Sequence, residues 1–212
     1  MKLLEVIQSD RVPKTAFRHA GEELGTGDYG AASAHPRQQN VVVKSAYVKD
    51  PKTDGYLKFI RLVQEHQDNP FFPKIYKAKM IKHSKYEGYD LILTMERLHE
   101  ANDPKISDAV VQNFERLGLP SNIAASTTKK GYESVTASRK WLEDSSNRQE
   151  LAKNTPNPKF REALNILEPL LAGSNNDLHA RNWMVRLTSS GPQLVVIDPV
   201  LPGYPYSHVP GF

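Results

Sequence analysis

Three glycines constrain the fold more than any other feature of this chain. Gly25, Gly27 and Gly30 stand in a Gly-x-Gly-x-x-Gly pattern, and no helical sequence follows them. A dinucleotide-binding turn needs a helix that opens directly behind its glycines. Here Tyr29-Gly30-Ala31-Ala32-Ser33-Ala34-His35 runs into the turn Pro36-Arg37-Gln38-Gln39-Asn40, and then into the β-branched run Val41-Val42-Val43. The pattern therefore predicts a glycine-rich turn between strands, with a first strand over 16–24 and a hairpin formed by 29–35 and 41–48. Glycines in such a turn let backbone N–H groups approach phosphate oxygens with no side chain in the way. A plain glycine turn is the competing reading.

The next segments extend the same lobe. Asp54 is placed to cap a helix over 55–67, whose Tyr56, Phe59, Ile60 and Val63 fall at helical spacing. Asn69, Pro70 and Pro73 end it, and 75–81 and 89–95 read as two more strands joined around Glu87-Gly88. Three strands, one helix and two strands describe an antiparallel small lobe with one packed helix. Past Glu96-Arg97-Leu98 the pattern turns helical. A helix is expected over 105–117, helical potential runs through 133–153, and a stronger helix covers 158–172 with Phe160, Leu164, Leu167 and Leu171 on one side. The Ser-, Thr-, Lys- and Gly-rich stretch 121–136 reads as a loop or insertion. A short hairpin of 183–187 and 193–197 follows, then an irregular tail over 199–212 with four prolines. The expectation is an α+β chain with a β-rich domain over 1–98 and a shortened helical domain over 99–212.

Composition excludes whole classes of chemistry. The 212 residues contain no cysteine, so disulfides, thiolate zinc sites, iron–sulfur clusters and thiol nucleophiles are ruled out. The seven histidines include no pair at helical zinc-site spacing. No apolar run reaches membrane-spanning length, and the apolar start is too short for a signal-peptide core, so an intracellular, cytoplasmic protein with no membrane partner is expected. The net charge, 28 − 24 = +4, is only a weak hint of a polyanionic partner. A nucleotide fits it, and nucleic acid is not expected.

The polar residues that carry chemistry come in a fixed order. Lys44 follows Gly30 by fourteen residues, the length of a hairpin returning toward the glycines. It would hold nucleotide phosphates, or it merely snorkels from a buried strand. Asp177 and Asn182 are five apart in Asn176-Asp177-Leu178-His179-Ala180-Arg181-Asn182, and Asp198 follows sixteen residues later after Val195-Val196-Ile197. An acid, an amide and a second acid on a loop and a hairpin end would converge three oxygens on one point, a hard donor set suited to Mg²⁺ on a nucleotide. Asp177 would then orient or deprotonate an attacking hydroxyl while Asn182 and Asp198 hold metal. The competing reading has these side chains capping turns. His179 fits either a contact to phosphate or a structural hydrogen bond.

Gly25-x-Gly27-x-x-Gly30, Lys44, Asp177-x-x-x-x-Asn182 and Asp198 resemble the protein-kinase-like fold in order and spacing. A closer resemblance is to the early serine/threonine protein kinases of short-tailed lytic bacteriophages. It rests on Leu24-Gly25-Thr26-Gly27-Asp28-Tyr29-Gly30-Ala31-Ala32-Ser33-Ala34-His35-Pro36, Pro73-Lys74-Ile75-Tyr76, Asp177-Leu178-His179-Ala180-Arg181-Asn182 and Ile197-Asp198-Pro199-Val200. It spans most of 24–200, with an unmatched stretch near 119–158. The resemblance implies a minimal two-lobed kinase-like fold with a truncated helical lobe and a hinge at Glu96 to Leu98, whose backbone would bind adenine. It implies ATP and Mg²⁺ as cofactors. Its implied activity is phosphorylation of serine and threonine in itself and in host proteins, in takeover of host transcription or translation.

Departures keep two other functions open. Asn175-Asn176 stands where His-Arg usually precedes the catalytic acid, and Pro199-Val200 where Phe-Gly usually follows the metal-binding acid. Fourteen residues follow Asp198, too few for an ordinary activation segment. The small-lobe helix offers one glutamate for Lys44, Glu65, near the helix end where a solvated role is expected. These features suit a pseudokinase-like binding module that grips a host protein. Asp177-Leu178-His179 also looks like the catalytic loop of aminoglycoside-type small-molecule phosphotransferases.

Overall fold

A computed structural model describes residues 5–7, 21–27, 30–82, 87–119, 130–174 and 176–201. The expectations for 16–20, Asp28-Tyr29, most of 121–136, Asn175 and the tail past 201 lie outside these residues. The fold is α+β. It separates into two compact units. One holds the described residues of Met1–Gln67 and Lys74–Arg97 with Leu201; the other holds Asp68–Pro73 and those of Leu98–Val200.

The first unit contains β1 (Glu5–Ile7), β2 (Glu23–Gly27), β3 (Gly30–His35), β4 (Gln38–Val48), α1 (Gly55–Glu65), β5 (Ile75–Lys82) and β6 (Tyr89–Glu96). Its sheet runs β1-β5-β6-β4-β3-β2. Only the β1–β5 pair is parallel; the other neighbours are antiparallel. The β3–β4 turn is tighter than the sequence predicts. His35 pairs with Gln38 across Pro36-Arg37, and the Arg37 N–H donates to His35 Nδ1 at 3.3 Å. β4 therefore gains three exposed residues before its buried stretch begins at Val41.

α1 starts where its cap requires. The buried Asp54 carboxylate accepts the Leu57 N–H at 2.7 Å, satisfying one of the donors that a helix start leaves unpaired. Tyr56, Leu57, Phe59, Ile60 and Val63 are buried, each worth roughly 1.5–3 kcal/mol of apolar burial. The helix stops at Glu65, two residues short of expectation. Gln67 is used differently: its amide donates to Val63 O at 2.8 Å and accepts the Ile75 N–H at 3.1 Å, joining the helix end to the start of β5.

The second unit contains β7 (His99–Glu100), α2 (Ser107–Arg116), α3 (Lys130–Trp141), α4 (Ser145–Asn154), α5 (Pro158–Ala172), a 3₁₀ turn (Ala180–Asn182), β8 (Trp183–Thr188) and β9 (Gly191–Val196). The strands form an antiparallel sheet in the order β7-β8-β9. Two expectations need correction. α3 begins at Lys130, inside the stretch read as a loop, and the helical potential over 133–153 is two helices. The break falls before Asp144, whose carboxylate accepts the Ser146 N–H at 2.7 Å and starts α4. Arg148 donates back to the Leu142 and Glu143 carbonyls at 2.8 and 2.7 Å, satisfying oxygens freed by the break. α5 spans the expected 158–172 and continues through Pro169. Asn157 accepts the Lys159 and Phe160 N–H groups, Pro158 takes the first turn, and Phe160, Ala163, Leu164, Leu167 and Leu171 are buried.

Asp68–Pro73 falls within the 1–98 range yet packs in the second unit. Its backbone and rings are claimed there. The Phe71 ring lies 4.7 Å from that of Phe160, and the Val196 N–H donates to Phe71 O at 3.0 Å. Arg186 donates to the carbonyls of Pro70 and Phe72 at 2.8 and 2.9 Å, and the Asn69 amide to Lys159 O at 2.9 Å. Among the described residues no helix is long and apolar enough to cross a membrane.

Candidate functional site

In the second unit, Asp177, Asn182 and Asp198 are tied together by one amide. Asn182 is buried, and its Nδ2 donates to the backbone oxygens of Asp177 at 2.7 Å and Asp198 at 2.8 Å. The same nitrogen lies 3.5 Å from Asp177 Oδ2. With the amide nitrogen turned to two carbonyls, Oδ1 is the atom of Asn182 left to face a ligand. The backbone closes the arrangement. Asp177 N–H donates to Pro199 O at 2.9 Å, Ile197 N–H to Asn182 O at 2.7 Å, and Asn176 bridges Val200 antiparallel. The chain past Asp198 thus returns along the start of the loop. Asp198 makes that return with φ at +39°, a left-handed conformation that a short Asp side chain tolerates better than most.

The loop is locally determined. Asn176 Oδ1 accepts the Leu178 N–H at 2.9 Å, an Asx turn that points Leu178 into the core. His179 Nδ1 accepts the Arg181 N–H at 3.2 Å, which places the proton of the neutral ring on Nε2. That nitrogen lies 3.8 Å from Asp177 Oδ2, so the ring flanks the carboxylate. The Asp177 side chain is 31 % exposed, open enough for a hydroxyl to approach it.

Two residues of this environment are absent from the motif. Arg139, in the last turn of α3, donates from Nε to Ala180 O, and Glu143 Oε1 accepts the Ala180 N–H at 2.7 Å. No sequence signal marks them. They precede Ala180 by 41 and 37 residues, and an Arg/Glu pair at a helix end reads as a surface ion pair.

In the first unit the glycines and Lys44 occupy adjoining strands. Gly25 and Gly27 lie in β2, not in a turn, and Gly27 pairs with Gly30. Gly30 pairs with Ala46, and Lys44 with Ala32. A Cβ on Gly30 would strike the Ser45 carbonyl oxygen, so glycine here is demanded by the close approach of β3 and β4. At the exposed Gly25 a Cβ would meet nothing within 4 Å, so packing does not require glycine there. Lys44 is half-buried, with Nζ 5.1 Å from the Tyr56 ring centroid. Glu65 is exposed at the far end of α1.

Glu96 ends β6, and its carboxylate is structural: it accepts the Lys74 N–H at 2.7 Å. Its own N–H donates to Lys74 O at 3.0 Å, and the Arg97 N–H donates to Asn40 O at 2.8 Å. Both amides are used within the unit. Leu98 is half-buried and is the first residue of Leu98–Val200.

Among the described residues no cluster of three His, Cys, Asp or Glu side chains is placed to hold a metal. Asn182 Nδ2 ties Asp198 through its backbone oxygen, so Asn182 Oδ1 and the Asp198 carboxylate are the two oxygens these residues could offer a cation. That set suits Mg²⁺, which keeps waters and substrate phosphates in its shell, better than a metal needing an all-protein cage. Comparison of the chain with protein-family models and with curated proteins finds no match.

Proposed function

We propose that this chain is a minimal ATP-dependent phosphotransferase, a serine/threonine protein kinase of the phage-encoded type acting on itself and on host proteins in the host cytoplasm. The observation that carries the reading is the Asn182 amide, which holds the backbones of both Asp177 and Asp198. A five-residue spacing and a separate hairpin end meet there at one side chain.

Asp177 takes the part of the residue that aligns the attacking hydroxyl and accepts its proton. Asn182 Oδ1 and Asp198 hold Mg²⁺, which when bound neutralises charge on the phosphate oxygens. Lys44 binds phosphate, and Gly25 in the edge strand β2 presents no side chain there. The open space at Gly25 supports this, since nothing in the fold forbids a side chain there. Because the Glu96 and Arg97 amides are spent, adenine recognition at this segment falls to carbonyl oxygens and to the Leu98 backbone.

The test is radiolabelled ATP with purified protein, alone and with bacterial lysate. Label on protein that vanishes in Asp177→Asn and Asp198→Asn is the expected result. The exposed Glu65 favours a second reading, a binding module that retains the fold and grips a host protein without transfer. ATP-independent capture of one host protein with no labelling would establish that reading instead. Label confined to a small metabolite would mark a small-molecule phosphotransferase.

A further inference from the structure

We infer that Arg139 and Glu143 are positioning residues, a two-point clamp on the N–H and C=O of Ala180, in successive peptide units, that fixes the 177–182 loop. The kinetic consequence rests on the phosphotransferase reading; the clamp itself rests on geometry alone. Ala180 lies three residues after Asp177 and two before Asn182, and its side chain has no polar atom with which to hold the loop. Its N–H is held from outside, and its C=O is held from outside in addition to accepting the Trp183 N–H that ends the 3₁₀ turn. The carboxylate of Glu143 accepts the N–H, and the guanidinium of Arg139 meets the C=O.

The polarity of this pairing matters. Negative charge faces the positive end of the N–H dipole, and positive charge faces the negative end of the C=O dipole. Both bonds are charge-assisted, about twice as strong as neutral ones. Flipping the 179–180 peptide would turn the His179 carbonyl toward the carboxylate, and flipping the 180–181 peptide would turn the Arg181 N–H toward the guanidinium; both contacts would be repulsive. The clamp therefore selects one orientation of the loop midway between its acid and its amide. Arg139 is 5 % exposed, so its charge is poorly screened and its bond to the carbonyl is correspondingly strong. Both residues come from the 119–158 stretch that the kinase resemblance does not cover.

Glu143 is exposed, so its variants leave the core intact. The experiment follows amide hydrogen exchange at Ala180 in the full chain for wild type, Glu143→Ala and Glu143→Gln, alongside thermal unfolding and steady-state transfer. Glu143→Ala is expected to speed Ala180 exchange at least about tenfold, the size of one charge-assisted hydrogen bond, with the unfolding midpoint held. Glu143→Gln, which keeps the accepting oxygen, restores most of the protection. kcat falls about tenfold in Glu143→Ala with KM for ATP unchanged, because alignment is lost and nucleotide contacts are not. Unchanged Ala180 exchange in Glu143→Ala overturns the clamp whatever the activity. Faster exchange with unchanged kcat overturns its positioning role. A wild type that transfers no phosphate defeats the phosphotransferase reading and the positioning role with it, and the exchange data then decide the clamp separately.

Discussion

The partner that α1 offers to Lys44 is an aromatic face. Tyr56 stands in the first turn of α1, and Glu65 lies nine residues further on, about two and a half turns away. A cation over a tyrosine ring gains about 0.5–2 kcal/mol, more as water is excluded. On the proposed phosphotransferase function, Tyr56→Phe should keep ATP binding near wild type, while Tyr56→Leu should raise KM for ATP about three- to tenfold, measured in the labelling assay. Asn182 carries a sharper expectation. A residue that served only as a metal ligand would tolerate aspartate, a stronger ligand. Here the amide nitrogen donates to two backbone carbonyls. An aspartate would set a carboxylate against both oxygens, so Asn182→Asp should lower folding stability by about 2–3 kcal/mol, read from denaturant unfolding, besides abolishing transfer.

At the scale of elements, α4 depends on its cap. The Ser146 hydroxyl, then the Ser146 N–H, hold the Asp144 carboxyl below the ordinary aspartate range. A carboxylate depressed in the folded state stabilises above its unfolded value and loses that contribution as pH falls through the lower folded value. The Ser146 amide should thus stay protected from exchange at neutral pH and lose protection below about pH 4. Asp144→Asn, which still accepts, should remove that pH dependence. The Asp54 cap and apolar spacing made α1 legible in the sequence, and apolar spacing alone made α5 legible, because these signals act over a few positions. The bounds of α3 within the helical 133–153 stretch were not legible for the opposite reason. Its buried side of Val135, Ser138 and Arg139 mixes apolar and polar residues, so no hydrophobic stripe marks it. β1 has three residues, too few to show a period. That Asp177 and Asn182 share one loop was legible because their spacing is local. The contacts that hold the loop from α3 are not local, and no spacing rule reaches across 41 residues.

At the scale of the whole molecule, the division of the chain does not follow its order. Asp68–Pro73 leaves one unit, joins the other and hands the chain back at Lys74. Phe71 and Phe72 are each 1 % exposed, so this excursion is part of a core. Phe71→Ala should cost about 3–5 kcal/mol and speed hydrogen exchange at Phe160 and Val196, its contacts in the second unit. The excursion also sets an order of events during synthesis. Phe71 is made 160 − 71 = 89 residues before Phe160 and 196 − 71 = 125 before Val196. β6 is complete at Glu96, so the strands of the first unit are made while the Phe71 ring still awaits Phe160. A nascent chain therefore carries the Phe71 ring without its Phe160 partner for 89 residues of elongation, an interval in which a chaperone that recognises apolar segments can meet it.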